Sequence, residues 1–288
     1  MKKNLFIAIL TIAFSLQTWA AGEEQASTTY YINAPRFVRP LIEKWIAEYR
    51  KVRPEAHFAI AKTPDAKSNS TLTVQISGHK TAQDGNKKTT YFGSYAILPI
   101  TAKNSDVEKS LSNQELSTKK LKAIYFENDN QDEDGKKNKF ADITVYSGNS
   151  KESVSQEFAA FYGKDASSFR GKRIVGDDLF LNSAIAKDPQ GITFNALGNI
   201  FDLTSRKAKT GIAILNLGYT KEEKAAINEA NNIDHLLEVL EANKSSQIPV
   251  EKIGFAYPAT NTEATNFLAW ILSQGEQYNH QYGILRVQ

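Results

Sequence analysis

Cysteine is absent from this chain of 288 residues. That absence excludes a disulfide scaffold, thiolate metal sites, a Cys nucleophile and a lipid anchor on an N-terminal cysteine. An excess of one charge is missing too: Lys+Arg 35 against Asp+Glu 32 leaves a formal net charge of +3, too little to argue for a nucleic-acid partner. Removing Lys2 and Lys3 with the leader described below brings the balance close to neutral. Long apolar runs are lacking as well. The best one, Leu5 to Leu16, is about a dozen residues, short of the roughly 20 that a bilayer-spanning helix needs. The four histidines, His57, His79, His235 and His280, include no i, i+4 pair and no His-Glu-x-x-His pattern, so a zinc hydrolase has no support. No Gly-x-Ser-x-Gly elbow, Gly-x-Gly-x-x-Gly turn or phosphate-loop Lys motif occurs; we therefore expect a non-enzyme without cofactor or metal.

What is present begins with a leader. Lys2 and Lys3, the apolar stretch and the exit Thr18-Trp19-Ala20 have the three parts of a secretory signal peptide over residues 1–20, cleaved after Ala20. The mature protein is then expected free in a periplasm, secreted and not lipid-anchored. Further on, Asn130 to Gly135 places oxygen-bearing side chains at alternate positions before a glycine, like the opening of a calcium loop. The position of the closing bidentate Glu holds Ala141, so a solvated turn is the better reading.

Strands and helices alternate along the mature chain. Tyr30 to Ile32 reads as a strand, and Phe37, Val38, Leu41, Ile42, Trp45, Ile46 and Tyr49 then recur at three- and four-residue spacings, one broad apolar helix face. Strands are expected at His57 to Ala61, Leu72 to Ile76 and Tyr91 to Ile100, with a polar loop at Thr63 to Ser70. Helices follow around Val107 to Leu111 and Ser117 to Phe126, then a strand at Ile143 to Tyr146. A helix over Ser153 to Tyr162 should turn Val154, Phe158 and Phe161 inward. Gly191 to Phe194, Gly211 to Leu217 and Ile253 to Tyr257 read as strands, with helices at Lys221 to Asn231 and Asp234 to Ala242. For the last helix, Thr260 and Glu263 suggest a capping box, Phe267, Leu268, Trp270 and Ile271 an apolar face, and Gly275 a stop. The alternation predicts α/β architecture.

The order of these pieces resembles the periplasmic phosphate-binding protein of ABC uptake systems, and more broadly the type 2 periplasmic binding proteins. The resemblance runs from Tyr30 to Val287. It rests on Trp45 and Tyr49 in the first helix, Ile76-Ser77-Gly78 after a strand, the apolar strand Ala96 to Ile100, and Leu116 to Phe126 with Tyr125 where the family has Phe. It continues with Ile143-Thr144-Val145 leading into the ligand loop, Asp188 to Phe194, Tyr257-Pro258 and Phe267 to Gln277.

The resemblance implies two α/β lobes joined by two crossing strands, with a small ligand in the cleft between them. It places lobe one at residues 27–99 plus 255–288 and lobe two at 100–254. It implies a small anionic solute, phosphate being one candidate, and ligand contacts from Asn33, Ala34, Ser77, Gly78, Ser147, Asn149, Ser150 and Ser153. The partners it implies are membrane transporter subunits or another envelope protein, with the binding protein itself a monomer. Phosphate binders read Arg-x-x-Gly-Ser-Gly-Thr in the loop after the Ile-Thr-Val strand. Here Gly148 stands for the Arg, Glu152 for the Ser and Val154 for the Thr. The alternative function is a relative that keeps the fold, has lost the anion and works as an envelope protein–protein interaction module.

Overall fold

The computed structural model describes residues 28–77, 86–127, 138–150, 153–229, 231–242 and 247–287. The leader, the calcium-like run, Gly78 and Glu152 lie outside the described residues. In chain order the elements are β1 (Thr29–Asn33), α1 (Arg39–Val52), β2 (His57–Ile60), α2 (Pro64–Ser68), β3 (Leu72–Ile76), β4 (Lys87–Ala102), α3 (Asp106–Leu111), α4 (Thr118–Tyr125) and β5 (Thr144–Gly148). The chain continues through α5 (Ser155–Phe161), β6 (Lys172–Ile174), α6 (Leu179–Ile185), β7 (Gly191–Ala196), α7 (Leu197–Ile200), β8 (Ile212–Ile214), α8 (Lys221–Lys224), α9 (Ile233–Ala242), β9 (Val250–Pro258) and α10 (Thr262–Trp270).

The strands join in the order β2-β1-β3-β9-β4-β7-β5-β6, and β8 also pairs with β4. β1 is parallel to both β2 and β3, and β9 runs antiparallel between β3 and β4. β4 changes partner midway: Lys87 to Ala96 pair with β9, whereas Ile97 to Thr101 pair with β7. One strand therefore ties two sheets together. The β5 strand pairs in parallel with β7 and β6. Helix α1 connects the parallel pair β1 and β2, and α5 the parallel pair β5 and β6.

The α1 face anchors the first sheet. Leu41, Ile42, Trp45 and Tyr49 are buried as the spacing predicts, and Pro40 sits in the first turn, where its missing N–H costs no helix bond. Trp45 is fully buried, packs edge-on against Phe92 and Phe255, and donates its Nε1 hydrogen to the Gly275 carbonyl at 2.8 Å. Trp45→Phe keeps most of the apolar surface and strips that carbonyl of its partner. It should cost about 1–3 kcal/mol, read as a lower urea midpoint; an unchanged midpoint would show that Gly275 finds another donor.

Three expectations are corrected here. The loop expected at Thr63 to Ser70 contains α2, started by Pro64 and by the Thr63 hydroxyl accepting from the Ala66 N–H at 3.2 Å. The last helix is capped by Asn261, whose side chain accepts from Ala264, instead of by Thr260. Phe161, expected inward, is 37% exposed, while Glu157 on the same helix is 1% exposed.

Candidate functional site

A cavity of about 260 Å³ opens where residues preceding and starting α1 meet the loops after β5 and β6. Its first wall is Pro35, Arg36, Phe37 and Arg39, with Lys67 from α2. Its second wall is Ser150, Ser153, Gly176, Asp177, Asp178 and Asn199. The first wall is basic because the chain leaves β1 through Ala34 and Pro35 and turns into α1: Arg39 is held by its Nε donating to the Ala34 carbonyl at 2.9 Å. The second is acidic, and it is tightly built.

Asp178 is at its centre. Asn195 of β7 donates to the Asp178 carbonyl at 2.8 Å, so the backbone at the start of α6 is fixed from the sheet. The carboxylate does not cap its own helix. It reaches across to the start of α5, where it accepts the Ser153 hydroxyl at 2.5 Å and the Val154 N–H at 3.0 Å. Ser153 in turn accepts from the Ser155 N–H, and Ser155 accepts the Gly148 N–H at 2.8 Å. A carboxylate belonging to the protein thus occupies the hydroxyl and amide donors of this turn, which would otherwise face the cavity.

The electrostatic cost of that arrangement shows in the proton affinity of Asp178. Burial pushes its pKa up from 3.8 to about 6, against the pull of the Ser153 and Val154 hydrogen bonds, and Asp177 and Glu157 add to the rise. Glu157 is 1% exposed and lies toward Tyr95, a fully buried phenol whose pKa is raised first by burial and then by Glu157, Glu251 and Asp178. Across the cavity mouth, Arg36 Nε stands 3.9 Å from Asp177 Oδ2.

The space at Gly148 is closed to any larger side chain. A Cβ at this position would lie 2.2 Å from the Ser153 Oγ, 2.8 Å from its Cβ and 3.1 Å from Asp178 Oδ1. The Ser153–Asp178 pair fills the space where a side chain would begin.

Of the residues expected to touch ligand, Ser150 and Ser153 line the cavity. Ala34 is buried and contributes the carbonyl that holds Arg39. Ser77 is exposed, donates to Glu251 at 2.7 Å and accepts from the Lys252 N–H. Ser147 is fully buried, and its Oγ and the Asn33 Oδ1 have no hydrogen-bond partner among the described residues. Asn149 is exposed beyond the end of β5, its N–H bonded to the Ile174 carbonyl. Gly78 lies outside the described residues. Arg36, Arg39, Lys67, Asp177 and Asp178 were not foreseen; the pair Asp177-Asp178 before an apolar stretch resembles a helix start, the signal that could have exposed it.

No protein-family profile matches the chain, and no curated protein matches it. Solved structures do. A structure described as a phosphate ABC transporter substrate-binding protein with bound phosphate from Clostridium perfringens superposes with a TM-score of 0.63 at 13% identity, covering 91% of this chain and 100% of the other. An ABC-type phosphate transport receptor from Vibrio cholerae gives a TM-score of 0.57 at 13% identity, over 90% of this chain and 100% of the other. The CcmR regulatory domain of Synechocystis PCC6803 in complex with 2-PG gives 0.51 at 12% identity, over 85% and 96%. The fold is therefore the two-lobed α/β type 2 periplasmic-binding-protein fold. At these identities the likeness carries the fold alone, and the third structure shows the same fold in a regulatory domain.

Proposed function

We propose that this chain is a non-enzymatic solute-binding protein of the cell envelope, which takes a small anionic group against the basic wall of its cleft. The carrying observation is that Arg36, Arg39 and Lys67, from two separate elements, converge on one cavity. Similarity to a structure with bound phosphate supports the ligand class. In this reading residues 1–20 direct secretion and are removed, the protein is periplasmic and monomeric, and lobe closure signals to membrane transporter subunits or another envelope protein. Lobe one is taken as residues 27–99 plus 255–288 and lobe two as 100–254.

The test is isothermal titration of the mature chain, Ala21 to Gln288, unfolded and refolded to strip carried ligand, with phosphate, sulfate and acetate. At least one should give a one-site isotherm, and the Arg36→Ala/Lys67→Ala double variant should weaken it by about tenfold or more, equivalent to about 1.4 kcal/mol. Flat traces for all three at millimolar concentration would overturn anion binding. Absence of binding to any small solute would favour the second reading, an envelope interaction module, which draws its support from Asp178 already occupying the Ser153 and Val154 donors.

A further inference from the structure

The two walls of the cavity carry opposite charge, and this restricts what can fill it. Arg36, Arg39 and Lys67 face Asp177 and Asp178 across a space of about 260 Å³. A lone anion seated there gains from the first wall and is repelled by the second. Two like unit charges 4 Å apart cost about 4 kcal/mol at an effective dielectric of 20, a penalty sufficient to cancel one good ion pair. A lone cation meets the converse problem. Among the described residues no Arg or Lys belongs to the second wall, and at Gly148, the end of β5, the space a side chain would need is filled by Ser153 and Asp178. Behind that wall Glu157 adds a further buried carboxyl, while the Lys209 ammonium is turned to the Asn199 carbonyl at 2.9 Å.

We infer that the cleft takes a small zwitterion, its carboxylate held by Arg36, Arg39 and Lys67 and its ammonium by Asp177 and Asp178. Two fixed charges a few bonds apart, as in an α-amino acid, match both walls at once. Ser150 and Asn199 provide neutral polar contacts between them. The ammonium also replaces the ion pair that now crosses the mouth, Arg36 to Asp177 at 3.9 Å, releasing Arg36 toward the carboxylate. The inference rests on the solute-binding reading and narrows its ligand class.

The experiment titrates the refolded mature chain with glycine, L-alanine, L-serine and L-proline, with N-acetyl-L-alanine and L-alaninamide as ligands lacking the ammonium or the carboxylate, and with inorganic phosphate. At least one amino acid should bind with a one-site isotherm. Removing either charge should weaken binding by about tenfold or more. Asp177→Asn should weaken the amino acid by a similar factor and leave N-acetyl-L-alanine bound no more weakly than before, with the unfolding midpoint of the free variant as a check that it folds. Binding of phosphate with none of the amino acids would overturn the zwitterion and leave solute binding standing. Equal binding of the amino acid and its N-acetyl form would overturn it as well. Flat traces throughout would overturn both.

Discussion

Gly148→Arg, which places at this position the basic residue that the resemblance to phosphate binders would call for, is expected to abolish stable folding and to confer no phosphate affinity. The first atom of the new side chain would lie 2.2 Å from the Ser153 Oγ, well inside van der Waals contact. Ser153 cannot simply rotate, because its hydroxyl is shared among Asp178, Ser155 and the Ser155 N–H. Forcing a buried side chain into a filled site costs about 1–3 kcal/mol for a methylene or two. Breaking the Ser153–Asp178–Val154 network adds the penalty of unpartnered buried groups, about 1–3 kcal/mol each. Gly148→Ala separates the two effects: it introduces the clash without the charge, and should lower stability by about 2–4 kcal/mol. The measurement is urea unfolding of both variants followed by phosphate titration of whichever folds. Wild-type stability in Gly148→Ala, or phosphate binding gained in Gly148→Arg, would show that the Ser153–Asp178 pair gives way easily and that the anion site is merely unoccupied.

Asp178→Asn is expected to make the protein more stable at neutral pH and to remove a pH dependence. The Asp178 carboxyl has a folded pKa of about 6 against 3.8 in the open chain. Below about pH 4 it is protonated in both states and opposes folding in neither. Between about pH 4 and 6 the folded protein still holds a proton that the unfolded chain has released, so stability falls as pH rises, by about 3 kcal/mol in total. Above about pH 6 that loss is complete. Asn keeps the size, accepts the Val154 N–H through Oδ1 and donates to Ser153 through its amide. Urea unfolding should find the variant within about 1 kcal/mol of wild type at pH 4.5 and up to about 3 kcal/mol more stable at pH 7.5. Glu157, Asp177 and the Arg36 opposite are present in both proteins, so their titration affects the difference only through Asp178. A gap that stays constant across this range would remove burial of a carboxylate as its cause.

Most of the fold was legible because burial follows period. The α1 face and the strands at β3 and β4 declared themselves through spacing and β-branched or aromatic content. The helix α2 was missed because five residues with no buried side chain carry no hydrophobic period. The face of α5 was misjudged for a different reason: Glu157 shares the face of Val154 and Phe158 by spacing but was discounted for its charge, and it is buried toward Tyr95, while Phe161 at the helix end is left 37% exposed. The site was less legible than the fold. Hydroxyl and amide residues of loops point equally to caps and to ligands, and Ser77 and Ser153 among those singled out are engaged in the protein's own hydrogen bonds. The charges that line the cavity come from positions far apart in sequence, Arg36, Lys67 and Asp178, so no local pattern could join them.

The position of β9 has a consequence for how the chain is made. This strand, near the end of the sequence, lies between β3 and β4 and supplies the neighbour that each needs. Leu285 then seals the middle of β4 through the Ser94 amide and carbonyl. A polypeptide delivered N-terminus first therefore emerges with β1, β2 and β3 able to pair among themselves but with β3 and β4 unjoined, and these two wait through almost the whole of synthesis for the strand that lies between them. Pairings of such long sequence separation form slowly, and until they do the β1–β3 edge is an open template for other chains. The same delay keeps the nascent chain extensible, the condition under which a polypeptide can be threaded through a narrow channel before it locks into shape.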